Sequence, residues 1–230
     1  MLKFSSRNPF PLLRSTDKSI TPARIRAHSD QVDAYLGMQI EEVEKKLRID
    51  GCKLKASDFS GKPQELWIGL AAKRFLTPYT EIRSMLSLLE PKPGSTIVDL
   101  GAGYGRMGFV VGRHYPKIKF IGYEYVGERV KESSKCLKRL NHPFVKFKHA
   151  DLSSTEFQPV TADYYFIYDY GTTDAIQKTL VDLKKIALEK PITVVARGRD
   201  SRDFIKAYHP WLAKRALPRS YIYFSIYQSI

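Results

Sequence analysis

The run Thr96-Ile-Val-Asp-Leu100 passes directly into Gly101-Ala-Gly103-Tyr-Gly105-Arg106, and a helical pattern follows over about 105–114. This strand, glycine turn and helix constrain the chain more than any other stretch. Gly101 and Gly103 let the backbone turn tightly and approach a ligand with no Cβ in the way. The helix start beyond them offers unpaired N–H groups and the positive end of a dipole. Such a unit needs neighbours, and the sequence supplies them. Strand patterns at 118–124, 144–149, 164–169, 192–196 and 221–228 alternate with helical patterns at 126–140, 173–188 and 202–208. That alternation predicts an α/β fold, a doubly wound and mostly parallel sheet with helices on both faces. In the last segment Tyr221, Tyr223 and Tyr227 alternate with Ile222, Phe224 and Ile226. It predicts an antiparallel hairpin with 211–217 at the sheet edge.

The residues before this domain read differently. Residues 1–29 carry six basic side chains against Asp17 alone and show no clear periodicity. They are expected to form a loose basic arm. Val32, Leu36, Val43 and Leu47 share one helical face, which predicts a helix over 30–49. Gly51 stops it, 51–63 reads as loop, and a short helix is expected over 64–75. Thr77-Pro78 reads as an N-cap and first helical residue, followed by Ile82, Met85, Leu86 and Leu89 at helical steps. The chain therefore divides into an arm (1–29), a helical extension (30–76) and the α/β domain (77–230).

Composition narrows the partners. Of 230 residues, 38 are Lys or Arg and 24 are Asp or Glu, a net charge of +14. Half of the excess lies in 113–148, with ten basic and three acidic residues. Such a block suits an anionic partner, nucleic acid or an acidic protein face, or is a solvated flank. Lys131, Lys135, Lys138 and Arg139 are expected on the outer side of a helix whose inner side is Val126, Val130, Leu137 and Leu140. No apolar run approaches the roughly 18 residues of a membrane span. Cys52 and Cys136 are too few for a disulfide framework and fit a reducing compartment. A cytoplasmic protein is expected. The acid-poor start makes the mitochondrial matrix the alternative, although Pro9, Pro11 and Pro22 interrupt a presequence helix. His28, His114, His142, His149 and His209 show no metal-ligand spacing, so no metal is expected. The oligomeric state is left open.

The ligand of the glycine turn is read from the acids around it. Gly103-Tyr-Gly105-Arg-Met-Gly108 satisfies the dinucleotide pattern G-x-G-x-x-G. However, a glycine already ends the strand at 101, and the Asp99 carboxylate beside it would repel a pyrophosphate. A carboxylate there suits a cationic amino group. Glu124 at the end of the second strand can accept from a ribose diol. Asp151 after the third can accept from an adenine amine, and Asp169 ends the fourth. Open parallel sheets bind ligands outside the carboxyl ends of their strands. S-adenosylmethionine fits: it has an ammonium, a sulfonium and a carboxylate but no phosphate. Each acid also has a plainer reading. Asp99 or Asp151 can cap a turn, Glu124 can be a surface acid, and Tyr170 can be packing in an aromatic strand. Arg106 is expected as an exposed first-turn residue.

On Val98-Asp-Leu-Gly-Ala-Gly-Tyr-Gly105, Glu124 and Asp151, residues 77–230 resemble the class I S-adenosylmethionine-dependent methyltransferases. The resemblance implies a Rossmann-like sheet of seven strands with an antiparallel last strand. It implies that Asp99, Gly101, Ala102, Gly103, Tyr104, Gly105, Glu124, Tyr125, Asp151 and Leu152 bind the cofactor. It also places Asp169 and Tyr170 beside the reactive methyl, as candidate catalytic residues. Thr77-Pro-Tyr79, Gly105-Arg106 and Gly122-Tyr-Glu124 look like the non-SET protein-lysine methyltransferases, so a protein lysine is the expected acceptor. RNA or DNA is the alternative acceptor, and a non-catalytic binding module is a third reading. Asp169-Tyr-Gly-Thr172 departs from the Asn/Asp-Pro-Pro-Tyr of nucleic-acid amino-methyltransferases.

Overall fold

A computed structural model describes residues 2–13, 20–51, 67–68 and 70–229. Its centre is a seven-stranded sheet: β1 (Thr96–Leu100), β2 (Lys119–Glu124), β3 (Val145–His149), β4 (Tyr164–Tyr168), β5 (Thr193–Arg197), β6 (Arg219–Ser220) and β7 (Phe224–Gln228). The strand order is β3-β2-β1-β4-β5-β7-β6. The first five strands are mutually parallel, and β7 runs antiparallel between β5 and β6. The expected hairpin is present with a different partner. β6 at 219–220, not 211–217, pairs with β7, and Trp211 and Leu212 form a buried 3₁₀ turn instead.

Alternation along the strands divides the core in two. On one face Ile97, Phe120, Phe166 and Val195 pack under α1 (Pro22–Leu36), α4 (Tyr79–Leu89) and α5 (Arg106–His114). On the other, Val98, Leu100, Tyr165, Ile167 and Val194 pack under α7 (Thr173–Glu189) and α8 (Arg199–Tyr208). α2 (Ile40–Gly51), the short α3 (Ala72–Phe75) and α6 (Gly127–Leu140) complete the helices of the described residues. The crossover from β3 to β4, residues 150–163, contains turns but no helix.

Four expectations change here. The helix foreseen over 30–49 is two helices. Thr21 caps α1, Pro22 is its first residue, and Gly37 ends it at φ +72°. The boundary drawn at 29/30 therefore falls inside α1. The loose arm is not loose throughout, since Phe10 is buried against the Tyr79 ring at 5.2 Å. α4 begins one residue later than expected, because Pro78 is extended and takes the cap position. The most buried face of α6 is Arg129, Glu132, Ser133 and Cys136, while Val130, Leu137 and Leu140 are only half-buried. Polar pairing with the N-terminal helices, rather than apolar periodicity, decides how that helix is turned. The loop foreseen over 51–63 lies, after Gly51 at the end of α2, outside the described residues. Of the helix foreseen over 64–75, residues 67–68 and 70–71 are described and not helical, and only α3 at 72–75 is a helix. No helix of the described residues is long and apolar enough to cross a membrane.

Candidate active site

The glycine turn folds as its residues require. Gly101 has φ +87° and Gly105 φ +71°, backbone that an L side chain rarely adopts. A Cβ at Gly101 would also lie 2.9 Å from Tyr170 Cβ, and one at Gly105 would lie 2.3 Å from the Phe147 ring. The N–H groups of Gly101 and Ala102 both donate to the Tyr123 carbonyl, at 3.0 and 2.8 Å, which ties the turn to β2.

Glu124 braces the turn from the end of β2. One carboxylate oxygen accepts from the Gly103 N–H at 2.8 Å, the other from the Val126 N–H at 2.9 Å. The Arg129 guanidinium lies 3.7 Å from it and is itself paired with buried Glu44 at 2.9 Å. Glu124 is thus no surface acid. Each carboxylate oxygen has two acceptor sites, so capacity remains for a ligand. A second buried pair joins the N-terminal helices to α5. Arg106 binds the Asp33 carboxylate, donates to the Thr77 carbonyl at 3.2 Å, and stacks 4.9 Å over the Tyr79 ring.

Gly101, Gly103, Glu124, Tyr125, Asp151, Leu152 and Tyr170 line one cavity of about 230 Å³ at the carboxyl ends of β1, β2 and β4. Trp67, Phe75 and Tyr168 make its aromatic wall. Asp151 accepts from the Ser153 N–H at 2.9 Å and from its hydroxyl at 2.6 Å, so its turn-capping role is real and its place in the cavity is also real. An adjoining cavity of about 70 Å³ contains Asp99, Ala102, Arg106 and Arg197, and shares Phe75, Gly101, Gly103 and Tyr168 with the first. Burial, with Glu124 nearby, pushes the Asp99 carboxyl up to about 7. It therefore favours a cation that replaces its lost hydration.

Three residues read as site residues, Tyr104, Gly105 and Asp169, are placed elsewhere, and a fourth, Tyr170, enters the cavity without its hydroxyl. Tyr104 is fully buried and points away from the cavity, its hydroxyl donating to Glu44 at 2.9 Å. Gly105 packs on Phe147 rather than on either cavity. Asp169 has φ +24°, and its carboxylate accepts from the Ser201 N–H at 2.8 Å, which braces the start of α8. Tyr170 lines the cavity with its ring alone, because its hydroxyl is bound to Thr179 on α7. Burial pushes that phenol up, so it stays protonated. Sequence reasoning missed Arg129, Trp67 and Phe75, and it expected Arg106 to be exposed. A lone arginine directly after a glycine loop carries no signal of the acid it meets from α1.

The sheet order is that of the Rossmann-like methyltransferase fold. No protein-family model matches the chain. Among solved structures it is similar to an S-adenosylmethionine-dependent O-methyltransferase of Thermotoga maritima, with 17% identity over 67% of this chain and 66% of that one and a TM-score of 0.50. An RNA methyltransferase of Salinibacter ruber, crystallised with S-adenosyl-L-homocysteine, is 23% identical over 67% of this chain and 92% of that one, with a TM-score of 0.49. Among curated proteins the chain is similar to protein-lysine N-methyltransferase EFM4 of Saccharomyces cerevisiae, 34% identical over 83 residues, which is 36% of this chain and 35% of that one. The match thus spans about a third of that relative's length.

Proposed function

We propose that this chain is an S-adenosylmethionine-dependent methyltransferase and that its acceptor is a protein lysine amine. The observation that carries the first part is the cavity itself. It collects Glu124 and Asp151 at a glycine turn, with Asp99 and Arg106 both lining the adjoining space. A carboxylate and a guanidinium in one cavity complement the two charges of an amino-acid head group. Glu124 and Asp151 complement ribose hydroxyls and an adenine amine. The aromatic wall of Trp67, Phe75 and Tyr168 complements a sulfonium by cation–π attraction. When bound, the cofactor supplies an electrophilic methyl whose leaving group is neutral. The protein's part is to hold the acceptor in line, exclude water and keep the amine unprotonated.

The acceptor side is the groove of about 690 Å³ that shares Leu76, Arg106 and Arg197 with the smaller cavity. Arg197 is locked there, bound to both oxygens of Glu81 at 2.6 and 3.0 Å and stacked 4.1 Å over Tyr168. Tyr170 is left out of amine binding by its bond to Thr179. The lysine assignment is supported by the similarity to the yeast protein-lysine methyltransferase. The test is calorimetry with S-adenosylmethionine and NAD, then incubation with labelled S-adenosylmethionine and cell extract. Micromolar binding of the first alone, with label in protein released as methyl-lysine, is the expected result. Equal NAD binding refutes the cofactor. Label in RNA refutes the acceptor.

A further inference from the structure

The β3-to-β4 crossover is where a doubly wound sheet ordinarily lays a helix over its outer strands. Here residues 150–163 make only turns, from which Leu152, Phe157, Val160 and Ala162 pack back on the sheet, the Phe157 ring 5.1 Å from Tyr123. They bury Tyr123 and leave Ile121 half-buried, and the face of β3 beyond them is left to solvent. Register and alternation fix what it presents. Ile121 pairs with Lys146 and Tyr123 with Lys148. One step earlier Lys119 lies beside Phe144, whose carbonyl accepts from Phe120 and continues the ladder. Lys119, Lys146 and Lys148 are exposed, and Phe144 is 51% exposed. Among the described residues none of these three lysines has a carboxylate within 4 Å. At the edge of the face Lys178 of α7 donates to the Phe157 carbonyl and lies 5.1 Å over its ring, adding a fourth cation. Phe147, on the opposite face of β3, packs on Phe109 and Phe120, so the strand cannot turn over.

We propose that this open face binds single-stranded RNA, separately from the methyl-transfer site and independently of whether that reading holds. Three lysines without a carboxylate partner along two adjacent strands, Lys148 among them 5.8 Å over the Tyr123 ring, complement a phosphate backbone. An exposed phenylalanine among them offers a base its flat face, which an acidic protein surface would not use. A sheet face carrying aromatic and basic residues is a general solution for unpaired bases.

The test uses the full chain and a fluorescent oligouridylate read by anisotropy against salt. The parent is expected to bind. Lys119→Ala/Lys146→Ala/Lys148→Ala should shrink the log–log salt slope by about 2, at about 0.7 per phosphate contact on a single strand. Phe144→Ala should weaken binding about tenfold or more. S-adenosylhomocysteine affinity should not change in either variant, which shows that the fold is intact. Lys131→Ala/Lys138→Ala, on the far side of the edge strand, is the control and should alter the slope less. Binding unaffected by the β2–β3 variants, tighter binding to polyglutamate than to RNA, or no RNA binding at about 50 mM salt would overturn the proposal.

Discussion

Replacing Arg106 by methionine tests how the N-terminal helices hold the glycine-loop helix. Methionine keeps much of the side-chain length and removes the charge. Arg106 is 7% exposed and Asp33 likewise 7%. The guanidinium makes a charged pair, a bond to the Thr77 carbonyl and a cation–π contact with Tyr79. Its loss leaves a buried carboxylate with the Tyr79 hydroxyl, at 2.7 Å, as its remaining donor. Breaking such a pair from one side costs about 3–5 kcal/mol. For a chain of this size that lowers Tm by roughly 6–20 °C. The pH dependence has a definite sign. Burial already raises the Asp33 carboxyl, and the guanidinium is what pulls it back down. Without it the folded-state pKa rises further. A carboxylate with a raised folded pKa is penalised only when ionised. The deficit should therefore be largest at pH 8 and shrink towards pH 5. Asp33→Asn/Arg106→Met should recover most of the stability, since neither partner is then left charged. Urea melts at pH 5 and pH 8 for the parent, the single and the double variant measure all of this. A loss under about 1 kcal/mol, or an equal loss at both pH values, would refute the reasoning.

Four further outcomes follow from the site. Asp99, at about 7, must ionise to pair with an ammonium, so affinity for S-adenosylhomocysteine should climb between pH 6 and pH 8 in the parent and stay flat in Asp99→Asn, by calorimetry. The same raised pKa penalises the empty fold as pH rises from about 4 to about 7, so Asp99→Asn should raise Tm at pH 8 and not at pH 4. Glu124→Ala should weaken cofactor binding by about 1.5–3 kcal/mol and also lower Tm, because it frees two backbone N–H groups as well as a ligand contact; an unchanged affinity would make Glu124 a purely structural brace. Tyr170→Phe should keep kcat and lose about 1 kcal/mol of stability with its Thr179 bond, whereas a kcat drop of a hundredfold or more would return the hydroxyl to the chemistry.

The strands and the glycine turn were legible because each depends on local pattern. Period-two runs, glycines with positive φ and acids at strand ends are visible one segment at a time. Strand order follows almost at once, since right-handed crossovers leave few arrangements. What stayed hidden depends on meetings across the chain. Asp33 and Arg106 are 73 positions apart, and Glu44 and Arg129 are 85 apart. Neither pair leaves a mark in its own neighbourhood. The side-chain partners of Asp169 and Tyr170 were hidden for a related reason. Sequence places a residue at a strand end but not the direction of its side chain, and here both polar groups turn to helices α8 and α7. Thr21-Pro22 is the one local signal that was overlooked, a cap and first-turn proline lying in a stretch judged by apolar periodicity alone.

The position of β7 bears on how the chain reaches this state. During synthesis β1 to β5 emerge and can assemble in parallel while residues 224–228 are still to come. Until then β5, with Val194, Val195 and Ala196 almost wholly apolar, is an edge with its backbone groups unpaired. Open apolar edges invite pairing with other chains. β6 cannot protect it, because its two residues pair only with β7. A ribosome-stalled chain ending before Phe224 should therefore hold the sheet's first five strands and associate through β5. The residues that close the sheet also protect the protein from its own copies.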